Sequence, residues 1–222
     1  MEDTAELSNK NRAYIRDDDL GITDKLLREY LDIFKETNSK INLECIPAKL
    51  ETSTVKLLKT YLDTGLYEIH QHGVSHLEYE PWNEFPETRS EEAVESSLLV
   101  GKEKLQKSFG EYFKPFFTPP WHNIHPKFYN LIRKNFIAVS PFDLPIHLDM
   151  RIRDENGPRW KTLDELKNDY DNLKGEEEIG ILLHHYLYNS KEDLETLRKF
   201  LLYIKQTRDI LHFSNLYIQT KE

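Results

Sequence analysis

Cys45 is the only cysteine among 222 residues, which excludes an internal disulfide and a four-thiolate zinc site. Any metal must then be held by histidine, aspartate or glutamate. No apolar run reaches the roughly 20 residues that a transmembrane helix requires. Met1 to Asn11 is acidic and polar and holds no apolar segment, so no secretory signal is expected and the chain reads as cytoplasmic. Positive charge is also short. Against 30 Lys and Arg stand 39 Asp and Glu, a formal net charge of -9. No nucleic-acid partner is expected, because reading a phosphate backbone needs a basic face, and an anionic membrane surface is disfavoured for the same reason.

What is present fits an ordinary globular chain. Hydrophobic residues make up 38% and charged residues 31%, and the length allows one domain with a sizeable core. Twelve Tyr, eleven Phe and three Trp exceed what a small core needs. Such rings wall sugar-binding clefts as readily as they fill interiors.

Short apolar runs alternate with longer amphipathic ones. Ala13 to Ile15 leads into Asp17-Asp18-Asp19, and a helix is expected over about Thr23 to Glu36. Ile41 to Ile46 precedes a second helix near Thr52 to Leu62, and Leu66 to Ile69 runs into His70-Gln71-His72-Gly73. A long helix over Ser90 to Phe109 opens with Glu91-Glu92, an acidic first turn suited to the helix dipole. Further strands are expected at Phe116-Phe117, at Phe136 to Val139 and at Ile179 to Leu183. A last helix runs from about Lys191 to Lys205 behind the N-cap Ser190. Strands alternating with helices argue for an α/β fold with a parallel sheet. Four strand candidates end in polar or turn-forming clusters: the triple aspartate, His70 to His76, Pro119 to His122, and His184-His185. Parallel α/β folds gather active sites at the carboxyl ends of strands, so these clusters are expected on one rim.

Three adjacent carboxylates repel one another. A solvated turn with one aspartate capping the next helix would explain them, and so would a bound cation with a neighbouring base. His72 and His76, four apart, can reach one ion if they lie on one face of a helical turn, and Gly73 allows a tight turn beside them. Two histidines and one carboxylate make the three-ligand set of catalytic rather than structural metal sites. His184 and His185 end a strand, whose alternation sends them opposite ways. His184 is the preferred inward-facing one. His122 and His125, in a proline-flanked loop, are weaker candidates for a cleft. His70, His147 and His212 are read as structural.

In order, Ile15-Arg16-Asp17-Asp18-Asp19, His72-Gly73-Val74-Ser75-His76, Thr118-Pro119-Pro120-Trp121 and Leu182-Leu183-His184 resemble the polysaccharide deacetylase superfamily, carbohydrate esterase family 4 and its relatives. The resemblance spans positions 15 to 185 and marks a divergent member. It implies a distorted (β/α) barrel of about seven parallel strands in a single domain over 1–222, with residues 1–11 as a flexible tail. It implies Asp18 as catalytic base and Asp19 as metal ligand, with an offset onto Asp17 and Asp18 left open. It also implies His72 and His76 as metal ligands, the Trp121 N–H beside Pro120 as oxyanion donor, and His184 as general acid. The cofactor would be one divalent metal, zinc first, with cobalt, nickel or iron also fitting. Trp82, Glu84 and Trp121 are the expected pocket.

Two departures stand out. Thr118 occupies the place of an arginine that orients the catalytic aspartate in the family. The family's later motif, whose aspartate tunes its catalytic histidine, has no clear match, Asp143 in Ser140-Pro141-Phe142-Asp143 being a candidate. The expected activity is hydrolysis of an N-acyl, chiefly N-acetyl, group on a sugar or sugar conjugate. The alternatives are a non-catalytic, metal-containing carbohydrate-binding protein and a metal-dependent hydrolase of a small non-sugar amide. The sequence does not specify an oligomeric state.

Overall fold

The structure, a computed structural model, describes residues 11–155 and 157–219. The N-terminal tail expected over 1–11 lies outside the described residues, except for Asn11, which opens the first strand. In chain order the elements are β1 (Asn11–Leu20), α1 (Leu27–Glu36), β2 (Ile41–Cys45), α2 (Thr52–Leu62), β3 (Tyr67–His72), α3 (Glu91–Phe109), β4 (Phe113–Thr118) and α4 (Tyr129–Asn135). There follow β5 (Leu148–Asp149), β6 (Arg151–Asp154), β7 (Gly157–Trp160), α5 (Leu163–Asn172), β8 (Glu178–Leu183), α6 (Lys191–Ile204), β9 (Arg208–Ile210) and α7 (Phe213–Gln219).

Seven strands form one sheet in the order β4-β3-β2-β1-β8-β5, with β9 joined to β1. Every pairing in it is parallel, so the fold is α/β. Val139 bridges Phe117 of β4, and Leu148 pairs with Ile181 of β8 at the opposite edge. The segment between them therefore joins the two sheet edges through a loop rather than a continuous ladder, which is where the barrel is distorted. β6 and β7 form a separate antiparallel hairpin.

Strand alternation divides the sheet into two unlike faces. Ala13, Ile15, Leu43, Ile69, Ile181 and Leu183 pack outward into one apolar cluster with Leu31 and Phe34 of α1, Leu58 of α2, and Leu197 and Phe200 of α6. Burying each of these large side chains contributes about 1.5–3 kcal/mol. The opposite face is also buried but largely polar: Tyr14, Arg16, Asp18, Asn42, Glu44, Glu68, His70 and His72. Its hydrogen bonds are internal, as buried polar groups demand. His70 lies between two carboxylates, Nδ1 3.0 Å from Glu44 and Nε2 3.1 Å from Glu68. Glu68 also accepts from the Ser214 hydroxyl, and Asn42 Oδ1 accepts from the Phe213 N–H. α7 thus closes this end, with Phe213 and Leu216 packed on Tyr14, Phe116, Ala138 and Leu144.

Some expectations shift. The helix expected from Thr23 starts at Leu27, because the Asp24 carboxylate accepts from the Leu26 N–H and holds the preceding residues in a turn. The strand expected at Phe136 to Val139 is reduced to the single bridge at Val139: Pro115 has no N–H to extend the ladder and Pro141 ends it. α5 was not anticipated, since only Leu166 and Tyr170 of it are buried. Its capping box, Thr162 with Glu165, was the readable signal.

Burial alone would lower the His70 pKa, but Glu44 and Glu68 override it and raise it to about 9. A folded pKa above the ordinary value of about 6.5 stabilises fully below that value and ceases to do so as pH rises through about 9. His70→Gln is therefore expected to lower Tm strongly near pH 6.5. That deficit relative to the wild type should shrink by about pH 10 in thermal melts followed by circular dichroism. A deficit independent of pH would mean His70 is buried neutral.

Candidate active site

The carboxyl ends of β1, β3, β4 and β8 meet on one rim, as expected of a parallel sheet. They border a cleft of about 710 Å3 lined by Asp18, Asp19, His72, His76, Trp82, Trp121, His122 and His184, with Asp149, Arg151, Arg153 and Tyr186 on a further wall.

The three aspartates lie within β1, not in a solvated turn. Asp17 points outward and is fully buried: it accepts from the His185 N–H and Nδ1, each at 2.8 Å. His185 packs beside Tyr30, away from the cleft, and its Nε2 lies 3.4 Å from Asp24. Asp18 points inward, and it is His184 rather than His185 that lines the cleft. Asp19, with φ 71°, ends the run and turns its carboxylate toward the histidines. Its Oδ1 lies 3.2 Å from His72 Nε2 and 2.9 Å from His76 Nε2.

These three residues suit a divalent metal. One donor atom from each lies within 4.8 Å of the others. His72 Nδ1 donates to the Thr118 carbonyl at 3.1 Å, so the neutral ring presents a lone pair at Nε2, the usual arrangement of a metal-binding histidine. A carboxylate oxygen and two ring nitrogens then converge, and a cation is what such a donor set satisfies. Burial disfavours the charged form of His72, yet Asp18 and Asp19 raise its pKa to about 9, so a metal competes there with a proton.

The H-x3-H segment is not a helical turn. His72 ends β3, and Gly73 (φ 53°) and His76 (φ 57°) reverse the chain. The turn is clasped by Glu84, whose carboxylate accepts from the Val74 N–H (3.1 Å), the Ser75 N–H (2.8 Å) and the Ser75 hydroxyl (2.8 Å). Glu84, expected in the pocket, is buried behind this loop. Pro120 likewise packs where a Cβ on Gly73 would fall, so its ring braces the turn instead of lining the cleft. Trp82 and Trp121 do line it: Trp121 lies 4.2 Å from the His76 ring and 6.3 Å from Trp82, centroid to centroid.

Asp18 is held by an arginine that sequence reasoning passed over. Arg16 Nε lies 2.8 Å from Oδ1 and its Nη2 donates to Oδ2 at 3.0 Å, both residues being buried. Nη1 donates to the Ser140 hydroxyl at 2.6 Å, which fixes the fork. Burial would raise the Asp18 pKa, but Arg16, His72 and His122 hold it well below the carboxylate range. The two-residue spacing of Arg16 and Asp18 on a strand was the available clue. Thr118, by contrast, contributes its carbonyl to His72 and to the Gly73 N–H. Asp143 is remote from His184: it pairs with Arg133 at 2.6 Å and accepts from the Val139 N–H. Burial, against the pull of Asp18 and aided by Arg151, lowers the His184 pKa. His122 Nε2 lies 3.7 Å from Asp18, whereas His125 faces Glu87.

Left-handed backbone concentrates here. Of the six non-glycine residues with positive φ among the described residues, Asp19, His76, Trp82, Trp121 and His122 line the cleft and Asn38 does not. Each such residue costs of order 1–3 kcal/mol, and clusters of them mark functional sites.

No protein-family model and no curated relative matches the chain. Solved structures do match in fold. A family 4 acetyl xylan esterase from Clostridium thermocellum, in complex with a cobalt ion, superposes with a TM-score of 0.71 at 18% identity, over 94% of this chain and 91% of that one. The Bc1960 peptidoglycan N-acetylglucosamine deacetylase gives a TM-score of 0.67 at 19% identity, over 91% and 87%. A carbohydrate esterase family 4 pseudoenzyme, in a mutant form with restored activity, gives 0.66 at 15%, over 94% and 68%. At these identities the likeness establishes the α/β fold that these proteins share with the chain.

Removing the Glu84 clasp (Glu84→Ala) leaves two turn N–H groups without their partner beside His76. Metal affinity measured by isothermal titration with zinc is expected to fall about 10–100-fold, the usual effect of a lost outer-shell partner. Unchanged affinity would mean the turn holds its shape without Glu84.

Proposed function

We propose that the chain is a single catalytic domain that hydrolyses an N-acyl group, chiefly N-acetyl, on a sugar or sugar conjugate. The observation that carries this reading is one cleft lined by the Asp19, His72 and His76 donor set, by an arginine-braced carboxylate, Asp18, and by a buried imidazole, His184. The fold shared with deacetylases and esterases of acylated sugars supports it, as does the aromatic wall of Trp82 and Trp121.

Asp19, His72 and His76 would hold one divalent cation, with zinc the first choice and cobalt, nickel or iron also suited. When bound, such a cation supplies Lewis-acid polarisation of the acyl carbonyl and acidifies water. Asp18, kept ionised by Arg16, takes the proton from the attacking water. The Trp121 N–H, carried on a left-handed residue at the rim, faces the developing oxyanion. His184 delivers a proton to the departing amine; its lowered pKa makes the imidazolium a stronger acid. Trp82 and Trp121 receive the sugar.

A second reading, a non-catalytic binding protein on the same fold, draws on the pseudoenzyme among the similar structures and on Thr118. Arg16 weighs against it, since the aspartate is braced from β1.

Metal content by mass spectrometry and acetate release from N-acetylated sugars test the proposal together. Asp19→Ala and His76→Ala are expected to lose metal and turnover. Asp18→Asn and His184→Ala should keep metal and lose about 10²–10⁴-fold in kcat. A metal-free variant with full activity overturns the scheme, and metal without acetate release from any N-acetyl sugar favours the second reading. Arg16→Ala is expected to keep metal and lose roughly 10²-fold in kcat through misplacement of Asp18, with partial recovery in added guanidinium. No recovery would assign Arg16 to folding alone.

A further inference from the structure

Part of the cleft lining is basic in an otherwise acidic chain. It is built by the β6–β7 hairpin. Asp149 pairs with Leu182 of β8, and the Met150 N–H donates to the Leu182 carbonyl at 3.1 Å. Arg151, the first residue of the hairpin, lines the cleft together with His184. Arg153, two further on along the same face, lines the same cleft, as does Pro158 across the hairpin.

The base of the hairpin is fixed. Trp160 stacks on Tyr188 at 4.1 Å and 22°, and the Lys161 N–H donates to the Met150 carbonyl at 2.9 Å. Arg159, on the other strand, is engaged by Glu165 through two bonds of 2.9 and 2.8 Å, outside the cleft. The cleft-facing arginines are treated differently. Arg151 has a loose partner, Asp149, at 3.4 Å. Arg153 is exposed and has no carboxylate partner among the described residues.

Two guanidinium groups lining a sugar-sized cleft are more than a neutral sugar requires. Their planar forks match the oxygens of a carboxylate or a phosphoryl group. Two cations suit one anionic group and not a polyanion. We infer that the substrate is an N-acylated sugar bearing an anionic substituent, a carboxylate or a phosphoryl group, bound by Arg151 and Arg153 while the acyl group lies at Asp18 and Asp19. This rests on the deacylase reading and specifies its substrate class. Arg151 and Arg153 are specificity residues for the sugar side of the bond.

The test uses metal-loaded protein and four probes: N-acetylglucosamine, its 1-phosphate, its 6-phosphate, and N-acetylglucosaminuronic acid, which carries a carboxylate at carbon 6. For the preferred anionic probe, kcat/KM is expected to exceed that for the neutral sugar at least about tenfold, the scale of one charge-assisted contact, and to decline with added salt. In Arg151→Gln/Arg153→Gln the ratio should fall toward one, and in Arg153→Glu below it. Lys107→Gln, which removes a distant surface charge, should leave the ratio as in the wild type. Preference for a phosphate or for the uronic acid tells which anion the site takes. A ratio near one in the wild type, or one unaltered in the arginine variants, overturns the inference. If no probe releases acetate, the deacylase reading fails separately. Titration of the same probes into wild type and double variant then decides the subsite: about tenfold weaker binding in the variant supports it, and equal binding overturns it.

Discussion

The two-residue period of one β-strand governs the candidate site. β1 carries three consecutive carboxylates, which placed together in a low-dielectric interior would repel strongly. Alternation sends Asp17 out to His185 and Asp18 in to Arg16, and a left-handed residue turns Asp19 toward His72 and His76. Each carboxylate meets different partners. The pairing also ties β1 to the loops after β3 and β8, so the strand that forms the middle of the sheet also sets the spacing of the site.

Around it, the polypeptide is held in conformations it would not adopt alone. Left-handed residues recur near the end of β1, after β3 and after β4, at the points where backbone must bend to bring donors inward. The surrounding braces are buried and polar: the Glu84 carboxylate, the Thr118 carbonyl and the Ser140 hydroxyl. Rigid positioning of this kind lets a site bind without reorganising, and it explains why several residues near the cleft serve the backbone and not a ligand.

Much of this was legible in the sequence. Helices with broad apolar stripes, such as α1 and α3, and strands ending in polar clusters gave the α/β alternation and the rim. The acidic triplet and the H-x3-H spacing gave the donor set. What escaped was long-range or two-sided. The spacing of His72 and His76 suggested a helix, but the turn depends on Glu84, eight residues beyond. An arginine bracing the aspartate was sought at Thr118 on β4, whereas Asp18 is held by Arg16, two residues before it on β1. The β6–β7 hairpin has neither helical nor buried-strand patterning, so nothing announced that its arginines would face the cleft. Asp143, the candidate for tuning His184, pairs with Arg133 instead.

The joining of β1 to β8 and β9 has a bearing on how the chain acquires its structure. The strand near the N-terminus finds one neighbour early, β2, and the other two only when the far end of the polypeptide is present. α7, which seals the charged interior behind His70, comes later still. During synthesis β1 must therefore wait with an unpaired edge and its inward carboxylate and guanidinium open to water, a slow, non-local route to completion. The acidic and basic groups that make the interior costly to bury in isolation also keep that waiting edge hydrated, and so guard it against pairing with the wrong strand.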